Sequence, residues 1–532
     1  MDKKTIGIVV VIVLIIAVVG YVAMGSASVD RNPDELVVAA GTHSGEPEMG
    51  FNPIYGWAME SEPLIQSTLF KVTRNFTYAP DLAENYEVSS DLRTYTVYLK
   101  DGIKFHDNSS FTAEDVVFTY NEAKKSGQTV DLSNMVNVTA VNETTVEFNL
   151  NQSDSTFLCK LGCLGIVPSD TYNNETYGSE PIGTGPFKFV QWDKGQQVIL
   201  EKNPDYYGEE VDFNRLTILF LENDAALAAA QRGEVDIAEV PVTFSNESVN
   251  NYTLISLPSI DVRGISLPTV PDEGETTADG AKIGNNVTSD LSIRQALNYG
   301  INRDEIIQGS FLNHGEKSFT GISNYVPWYD NVTIEDGDIE HAREILAEGG
   351  WVDTDGDGIV EKNGVKASFN LDYPSDDPMR QSLSVAVSEQ AQEIGIEIIP
   401  EGKTWDEIYM EAYDRAVIWG FGTADPTYLY GEYYSSQIGE GGTNNPGCIN
   451  SSTVDATIDS ARATPYESSY SAWSQVGSEI SPEGDIVPFL WIGQIDYVYF
   501  VDDSLDISED TALYQPHGGN IFSNVWDWSR HN

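Results

Sequence analysis

The chain has 532 residues, of which 83 are acidic and 29 are basic, so its formal net charge is −54. Hydrophobic residues make up 41% of the chain and aromatic residues 11%, which is enough for large cores and argues against intrinsic disorder. The charge also argues against a nucleic-acid binder, because phosphate contact needs a basic face. The length predicts about two to four domains or lobes.

Residues 6–24 form an uncharged apolar run that is long enough to cross a bilayer as a helix. Lys3 and Lys4 precede the run, which favours a cytoplasmic N-terminus and places the remaining chain outside the cytoplasm. Two interpretations stay open: a retained membrane anchor, which we favour, and a secretory signal cleaved among the small residues at 23–28. We expect residues 1–30 to be anchor or signal and linker. The body is then anchored at the cell membrane, or secreted or periplasmic if the signal is cleaved.

Asn-X-Ser/Thr sequons are frequent, which suits an exterior glycoprotein. They begin at Asn75, Asn108, Asn137, Asn142, Asn151, Asn174, Asn246, Asn251, Asn286, Asn331 and Asn450.

The three cysteines, Cys159, Cys163 and Cys448, are too few for a disulfide scaffold. Cys159 and Cys163 are close enough in sequence to pair if the segment between them is not helical. The other interpretation is that they are small buried residues.

Strand and helix patterns alternate along the first half of the body. Alternating or buried apolar runs predict strands at 35–41, 94–100, 144–150, 186–192, 196–202, 216–221 and 235–238. Helical patterns are present at 62–72, 111–125 and 225–232. Thr112 is a good N-cap with Asp115 at the N3 position, so we expect the second of these helices to begin there.

The second half of the body is richer in helical periodicity. Helices are predicted at 291–308, 339–348, 381–393, 405–415, 454–463 and 466–480, and strands at 366–373, 396–400, 486–491 and 497–501. This alternation of strands and helices predicts an α/β architecture.

The sequence lacks the common catalytic signatures HExxH, GxSxG, the P-loop and GxGxxG. It contains only six histidines, which is sparse for a metalloenzyme. We therefore expect no enzyme activity. Two alternatives stay open: an exterior hydrolase of peptides or glycans, and a ligand-sensing receptor without a transport role.

An acidic loop resembles the opening of an EF-hand calcium loop. Asp353, Asp355 and Asp357 alternate with small residues, and Glu361 follows. Position 12 is Gly364 in place of the usual bidentate Glu, so Glu361 serves only in a shortened geometry. The loop is either a structural calcium site or a tight polar turn before a strand.

Seven stretches spread over most of the body resemble one family when they are taken in order. They are DLAENY at 81–86, TYTVYLKDGIKFH at 94–106, FTAEDVVF at 111–118, PIGTGPF at 181–187, GEVDI at 233–237, IRQALNYGINR at 293–303 and AREILAEGGW at 342–351. Together they resemble the substrate-binding proteins of peptide/nickel ABC importers, which form solute-binding protein family 5.

The resemblance implies the periplasmic-binding-protein type 2 fold, in which two α/β lobes are joined by a hinge. On this chain, lobe one would cover 31–264 and the return at 485–532. An extra subdomain of lobe one would cover about 76–182. Lobe two would cover 265–484.

The same resemblance implies a function in import. The protein would capture an oligopeptide or a nickel chelate between its lobes and deliver it to a membrane permease and its ATPase. We expect a monomer that needs no cofactor, with nickel present only as part of the transported ligand.

One segment bears on the choice of ligand. In peptide-binding members, an acidic residue three positions before an Asp/Glu-Pro pair holds the α-amine of the peptide. Here the pair is Asp425-Pro426, and position 422 is glycine. This favours a ligand that lacks a free α-amine. The nickel-chelate members resemble the segment better, with Trp419 as an aromatic wall of the site.

Five other residues are candidate ligand contacts under this resemblance. His43 and His517 offer imidazoles to a metal or chelate. Trp57 and Trp405 would add to the aromatic walls. Arg263 would meet a ligand carboxylate in a bidentate way, or else form a surface salt bridge.

Overall fold

A computed structural model gives the structure of most of the chain. It describes residues 32–40, 46–58, 64–127, 130–440 and 444–531. The predicted anchor or signal at 1–30 and the candidate ligand residue His43 lie outside these residues. Within the described ranges, no helix is both long enough and apolar enough to cross a membrane.

The strands are short in most places, but two are long. In chain order they are β1 Glu35–Ala40, β2 Phe70–Val72, β3 Tyr78–Pro80, β4 Ala83–Val88, β5 Thr94–Leu99, β6 Met135–Asn142, β7 Thr145–Leu150, β8 Phe187–Asp193, β9 Gln197–Lys202, β10 Arg215–Phe220, β11 Ile237–Val240, β12 Tyr252–Ser266, β13 Gly315–Lys317, β14 Glu361–Lys362, β15 Val365–Lys366, β16 Ser368–Pro374, β17 Glu397–Lys403, β18 Ala416–Phe421, β19 Phe489–Asp502, β20 Leu505–Asp506 and β21 Ser529–Arg530.

Eleven α-helices lie in the described part of the chain. They are α1 Ala113–Ser126, α2 Phe157–Cys163, α3 Asn223–Gln231, α4 Leu291–Gly300, α5 Arg303–Gly309, α6 Ile339–Glu348, α7 Pro378–Glu393, α8 Trp405–Glu411, α9 Tyr428–Tyr433, α10 Ser452–Arg462 and α11 Tyr466–Glu479. Four 3₁₀ turns lie at Pro53–Tyr55, Val242–Phe244, Ser435–Gln437 and Ile521–Asp527.

The main sheet has 11 strands and two halves that meet at β12 and β19. The first half has the order β8, β9, β10, β1, β11, and the second half has the order β18, β16, β17 outward from β12. Each half contains parallel pairs, β1 with β10 and β11 in the first, and β16 with β17 and β18 in the second. Helices α3 and α7 each connect two strands of one half, which confirms the α/β architecture.

Strands β12 and β19 pair antiparallel over almost their whole length and belong to both halves. At one end β19 pairs β11 of the first half, and at the other end β12 pairs β18 of the second half. Their register shifts between Pro258 and Val262. A β-bulge bends and twists a strand locally, so the two halves meet at an irregular crossing.

A separate four-stranded antiparallel sheet, with the order β4, β5, β7, β6, packs against α1. The helix begins where Thr112 and Asp115 form a capping box, as the sequence predicts. Tyr95, Val97, Val146 and Phe148 face α1 from alternate positions on two strands and are fully buried or nearly so. This sheet lies within the range predicted for the extra subdomain.

Two local features differ from simple expectations. The prediction of a helix at 62–72 is wrong for the described residues 64–72. These residues bend and then form β2, which pairs with β3. A short apolar run suits a buried strand as well as a helix, and pairing with Tyr78–Pro80 decides for the strand. The segment from Cys159 to Cys163 is helical, so the condition for a disulfide is not met, and no disulfide joins any of the three cysteines, all of which the structure describes.

Candidate functional site

A cavity of about 530 Å³ lies where the two halves of the main sheet meet. Its wall is built from the ends of β11, β16 and β18, the start of α7, the crossing strands and the C-terminal segment. The lining residues are Asn223, Glu239, Val240, Pro241, Val242, Arg263, Pro374, Asp376, Asp377, Pro378, Met379, Arg380, Trp405, Tyr409, Trp419, Gly420, Phe421, Ile495, Asp496, Tyr497, Val498 and His517. In α/β sheets, ligands bind outside the carboxyl ends of parallel strands, and this cavity lies at such ends.

Asp261 on β12 is the centre of a buried polar cluster. Its Oδ2 atom pairs with Nη2 of Arg263 at 2.7 Å, and neither side chain is exposed. Tyr497 donates its hydroxyl to the same oxygen at 2.8 Å, and Nδ1 of His517 lies 3.1 Å from it. Burial alone would raise the pKa of Asp261, but the charge of Arg263 and the contact with His517 hold it well below its ordinary value. Asp261 is therefore ionised.

A second guanidinium lies at the start of α7. The Asp377 side chain caps this helix and accepts a hydrogen bond from Nη1 of Arg380 at 2.6 Å. Arg380 is 4% exposed, and burial together with the like charge of Arg263 lowers its pKa. Nε of Arg380, and Nε and Nη1 of Arg263, have no hydrogen-bond partner among the described residues. The two guanidiniums therefore favour an anionic group in this part of the cavity.

Aromatic rings form the wall next to these cations. Trp419 donates its Nε1 hydrogen to Ser266 Oγ at 3.0 Å, and its ring lies 6.0 Å from that of Trp405. The Arg380 guanidinium lies 5.4 Å from the centre of the Trp405 ring, within cation–π range. The wall combines apolar faces with buried positive charge, which suits a small organic ligand that carries an anion.

Hydrogen bonds and an ion pair join the region that contains the four-stranded sheet to the segments around Thr427 and Arg462. The N–H of Ser155 donates to the carbonyl of Arg462 at 2.9 Å, and the hydroxyls of Thr156 and Thr427 are 3.0 Å apart. Asp154, which is 1% exposed at its side chain, pairs with Arg462 at 3.5 Å. These contacts join the two parts of the molecule at a place outside the cavity lining.

Four of the seven predicted ligand residues line the cavity: Arg263, Trp405, Trp419 and His517. The Arg263 pair is fully buried and so is not a surface salt bridge.

Of the other three predicted residues, Asp425 and Trp57 do not line it. Asp425 accepts the N–H of Thr427 at 2.8 Å just before α9. Trp57 packs edge-on against Phe51, with ring centres 4.8 Å apart. His43 lies outside the described residues.

Sequence reasoning missed Arg380 and Tyr497, which line the cavity, and Asp261, which is buried behind it. β12 was not predicted, because Pro258 and the charges at 261 and 263 interrupt its apolar pattern. Those interruptions were themselves a signal, since charged residues inside an apolar strand are buried only when they are paired.

The acidic loop is compact in the structure. Asp353, Asp355, Asp357 and Glu361 each offer a carboxylate oxygen, and these oxygens all lie within 4.8 Å of one another. The Lys366 ammonium pairs with Asp357 and lies 3.2 Å from Asp355. The loop thus has the ligand type that calcium prefers, and a lysine partly neutralises it.

The chain is similar to known proteins in sequence and in structure. The family model described as "Bacterial extracellular solute-binding proteins, family 5 Middle" matches residues 77–441. Among curated proteins, the oligopeptide-binding protein AppA of Bacillus subtilis is 27% identical over 537 residues, covering 95% of this chain and 93% of that protein. The nickel-binding periplasmic protein of Escherichia coli is 26% identical, covering 72% and 74%.

Solved structures share the fold over nearly the whole chain. NikZ from Campylobacter jejuni, solved with Ni(L-His), has a TM-score of 0.78 at 24% identity, covering 94% of this chain and all of that one. AppA from Bacillus subtilis, solved with a nonapeptide, has a TM-score of 0.73 at 25% identity, covering 94% and 99%.

Proposed function

Because the chain belongs to the family 5 bacterial extracellular solute-binding proteins, we propose that it captures a small solute for an ABC importer. The solute is an oligopeptide or a nickel chelate, and the protein delivers it unchanged to a membrane permease and its ATPase. The observation that carries this proposal is the cavity of about 530 Å³ between the two halves of the sheet, lined by Arg263, Arg380, Trp405 and Trp419. Members of this family are binding proteins and not enzymes.

We propose that the two halves of the sheet are the lobes and that β12 and β19 form the hinge. The predicted boundaries near 264 and 485 lie in or just before these strands, and lobe one includes the extra subdomain at about 76–182. Two long strands with a register shift provide a place for bending, because within the described residues they join the two halves of the main sheet. Closure around the solute is then driven by contacts that form only in the shut state.

The ligand is proposed to place a carboxylate between Arg263 and Arg380. Both guanidiniums are buried and keep unused donors, and an anion would relieve their mutual repulsion. Its apolar part would lie on Trp405 and Trp419. Both cargo classes carry carboxylates, so this subsite serves a peptide terminus or an amino-acid chelator equally.

His517 and Gly422 favour the chelate over the peptide. His517 lines the cavity with its side chain 39% exposed, so an imidazole is available to a metal. Gly422 lacks the carboxylate that would hold a peptide α-amine. His43, in the loop after β1, is proposed as a second imidazole. Asp425 and Trp57 would contact only a ligand that extends beyond the central cavity.

Family 5 binding proteins are extracytoplasmic, and we propose that the apolar run at 6–24 tethers this one to the cell membrane. The two lysines before the run and its length support a tether. Glycosylation of the sequons and a monomeric state are part of the same proposal.

We also propose that the acidic loop binds calcium in a structural role. Four convergent carboxylates support this, and Lys366 would have to leave the cluster when the ion enters. The transported solute would not contact this loop, because none of its four acids lines the cavity.

Thermal unfolding with a panel of solutes tests the proposed function. The panel contains peptides of two to nine residues, nickel with L-histidine, L-histidine alone and nickel alone. A ligand at 100 times its Kd stabilises a protein by about 2.7 kcal/mol, so a true cargo should raise the Tm by several degrees. A flat response to the whole panel would contradict the proposal.

A further inference from the structure

The carboxylate of Asp261 lies behind the imidazole of His517, on the side away from the cavity. We infer that Asp261 is a positioning residue that holds His517 in the Nδ1–H tautomer, so that Nε2 is presented to the metal of a bound chelate. The inference rests on the proposed function in its nickel-chelate form. It concerns a residue that supports the binding group and does not itself line the cavity.

The tautomer follows from the hydrogen-bond partners. Oδ2 of Asp261 accepts hydrogen bonds from Arg263 and Tyr497, so the ring nitrogen that faces this oxygen must carry the hydrogen. Nδ1 of His517 lies 3.1 Å from Oδ2 of Asp261 and is therefore the protonated nitrogen of the neutral ring. The lone pair is then on Nε2, at the other side of the ring, and a metal binds an imidazole through that lone pair.

The position of the carboxylate is itself fixed by the fold. Asp261 is fully buried, and its N–H donates to Ser259 Oγ at 2.9 Å. Arg263 on the same strand and Tyr497 on β19 both donate to Oδ2. The carboxylate is therefore bound from both crossing strands and has little freedom to rotate.

His517 is also held at its backbone. Its N–H donates to the carbonyl of Gly422 at 2.8 Å, just after β18. The backbone of His517 is thus tied to the second half of the sheet, while its ring is tied to β12. With both ends fixed, the ring keeps one orientation toward the cavity before any ligand arrives, which reduces the entropy lost on binding.

Carboxylate partners of this kind matter for metal affinity. A carboxylate bonded to the far nitrogen of a ligating imidazole orients the ring and raises its basicity, and its loss commonly lowers metal affinity 10- to 100-fold. We expect Asp261→Asn to weaken nickel–histidine binding by about that factor. Arg263 and Tyr497 still need an acceptor at the Oδ2 position, so an asparagine presents its carbonyl oxygen to Nδ1 without the negative charge, which weakens the preference for the Nδ1–H form and lowers the basicity of Nε2.

The experiment measures the tautomer of His517 and the affinity for nickel–histidine in the same set of variants. Nitrogen-15 NMR of selectively labelled histidine, assigned by the loss of one signal in His517→Ala, reports which ring nitrogen carries the hydrogen. Calorimetric titration with nickel–histidine gives the affinity. Tyr497→Phe is the control, because it removes one hydrogen bond to the same oxygen and the bond that the hydroxyl accepts from the Gly518 N–H, and it keeps the Asp261 carboxylate that faces His517. We expect the Nδ1–H form in the wild type and in Tyr497→Phe, and a shift toward Nε2–H in Asp261→Asn.

A double-mutant cycle separates positioning from general damage. Asp261→Asn should lower nickel affinity strongly in the wild type and little in a His517→Ala background. An equal loss in both backgrounds would overturn the inference, as would an Nε2–H ring in the wild type, which needs no variant to fold. A protein that binds peptides but not nickel–histidine would also overturn it and leave the import function standing, whereas no response to any solute would contradict the import function itself.

Discussion

The Cα atom of Gly420 lies directly against the guanidinium of Arg263. A Cβ atom added there would be 1.9 Å from Nη1 of Arg263 and 2.8 Å from Cε1 of His517. The side chains of Arg263 and His517 both line the ligand cavity. They can approach each other across β18 because residue 420 has no side chain.

We expect Gly420→Ala to displace both groups. Forcing a methyl group into a packed site costs about 1–3 kcal/mol, so solute affinity should fall about 5- to 150-fold and the Tm should drop by several degrees. Gly309→Ala is the control, because a Cβ at that position meets nothing within 4 Å. Calorimetric titration of both variants with the solute that stabilises the wild type measures the difference. Equal affinities in the two variants would show that the crowding at Gly420 is unimportant.

Arg380→Gln removes one of the two cations from the carboxylate subsite. Hydrogen bonds to charged groups contribute about 1.5–3 kcal/mol, so affinity for any solute with a carboxylate should fall by about 10- to 100-fold. Amidation of the solute's carboxylate should weaken binding to the wild type and have less effect in the variant. Arg343→Gln, on the exposed face of α6, is the matched control and should bind as the wild type does. The idea is refuted if amidation weakens both proteins equally.

Arg462→Met tests the contacts that hold the parts of the molecule together. The change leaves the buried carboxylate of Asp154 without its ion pair, which penalises the closed arrangement. Ligand affinity falls in proportion to the fraction of molecules in the closed form. We therefore expect a several-fold loss of affinity, and a larger radius of gyration in solution scattering. Arg232→Gln breaks an exposed ion pair with Glu234 and should change neither quantity. A compact Arg462→Met protein with unchanged affinity would contradict this role.

Because the imidazole of His106 is buried, we expect the protein to lose folding stability in mild acid. Burial lowers the pKa of His106 to about 4, while an unfolded chain has a histidine pKa of about 6.5. The unfolded state therefore binds a proton between these values and the folded state does not, so stability falls as the pH drops from about 6.5 to 4. The shift corresponds to up to about 3 kcal/mol.

His106→Gln should flatten this part of the stability curve. Glutamine can donate to the Gly185 carbonyl and accept from the Gly183 N–H, as the neutral ring does, and it cannot be protonated. Urea unfolding at pH 7, 5.5 and 4 measures the effect, with His341→Gln on α6 as an exposed control. A slope that persists in His106→Gln would assign the acid sensitivity to other groups.

Lys366→Gln tests the proposed calcium site in the acidic loop. In the folded protein the Lys366 ammonium competes with an ion for Asp355 and Asp357. Removing the charge should raise calcium affinity, and the increase in Tm on adding calcium should be larger than in the wild type. Asp355→Asn together with Lys366→Gln should abolish the response. If calcium changes the Tm of neither protein, the loop is a polar turn only.

Much of the fold was predictable because its signals are local. The helix α1 has a capping box at Thr112 and Asp115, and the hairpin of β8 and β9 turns at Gly195, where φ is +72°. The strands β12 and β18 escaped prediction because they are buried on both faces by distant partners and carry no alternating pattern. β12 pairs with both β18 and β19, and each of these strands follows it in the chain by more than 100 residues.

The candidate site was predictable only in part for the same reason. Trp419, Trp405, His517 and Arg263 were identified from residue type and family resemblance, and all line the cavity. Asp261 and Arg380 were not, since their importance comes from pairing with groups that the fold brings from other strands and helices. Asp425 stays a prediction; it does not line the central cavity and accepts the N–H of Thr427 before α9.

Native mass spectrometry of the protein as purified tests the central claim most directly. We predict a noncovalent 1:1 complex whose small-molecule mass matches a short peptide or a metal chelate, and which is lost in Gly420→Ala and Arg380→Gln. After the complex is unfolded and refolded without its solute, adding that one compound should restore the mass and raise the Tm. A protein that carries no small molecule and takes up none from peptides or nickel–histidine would contradict the account.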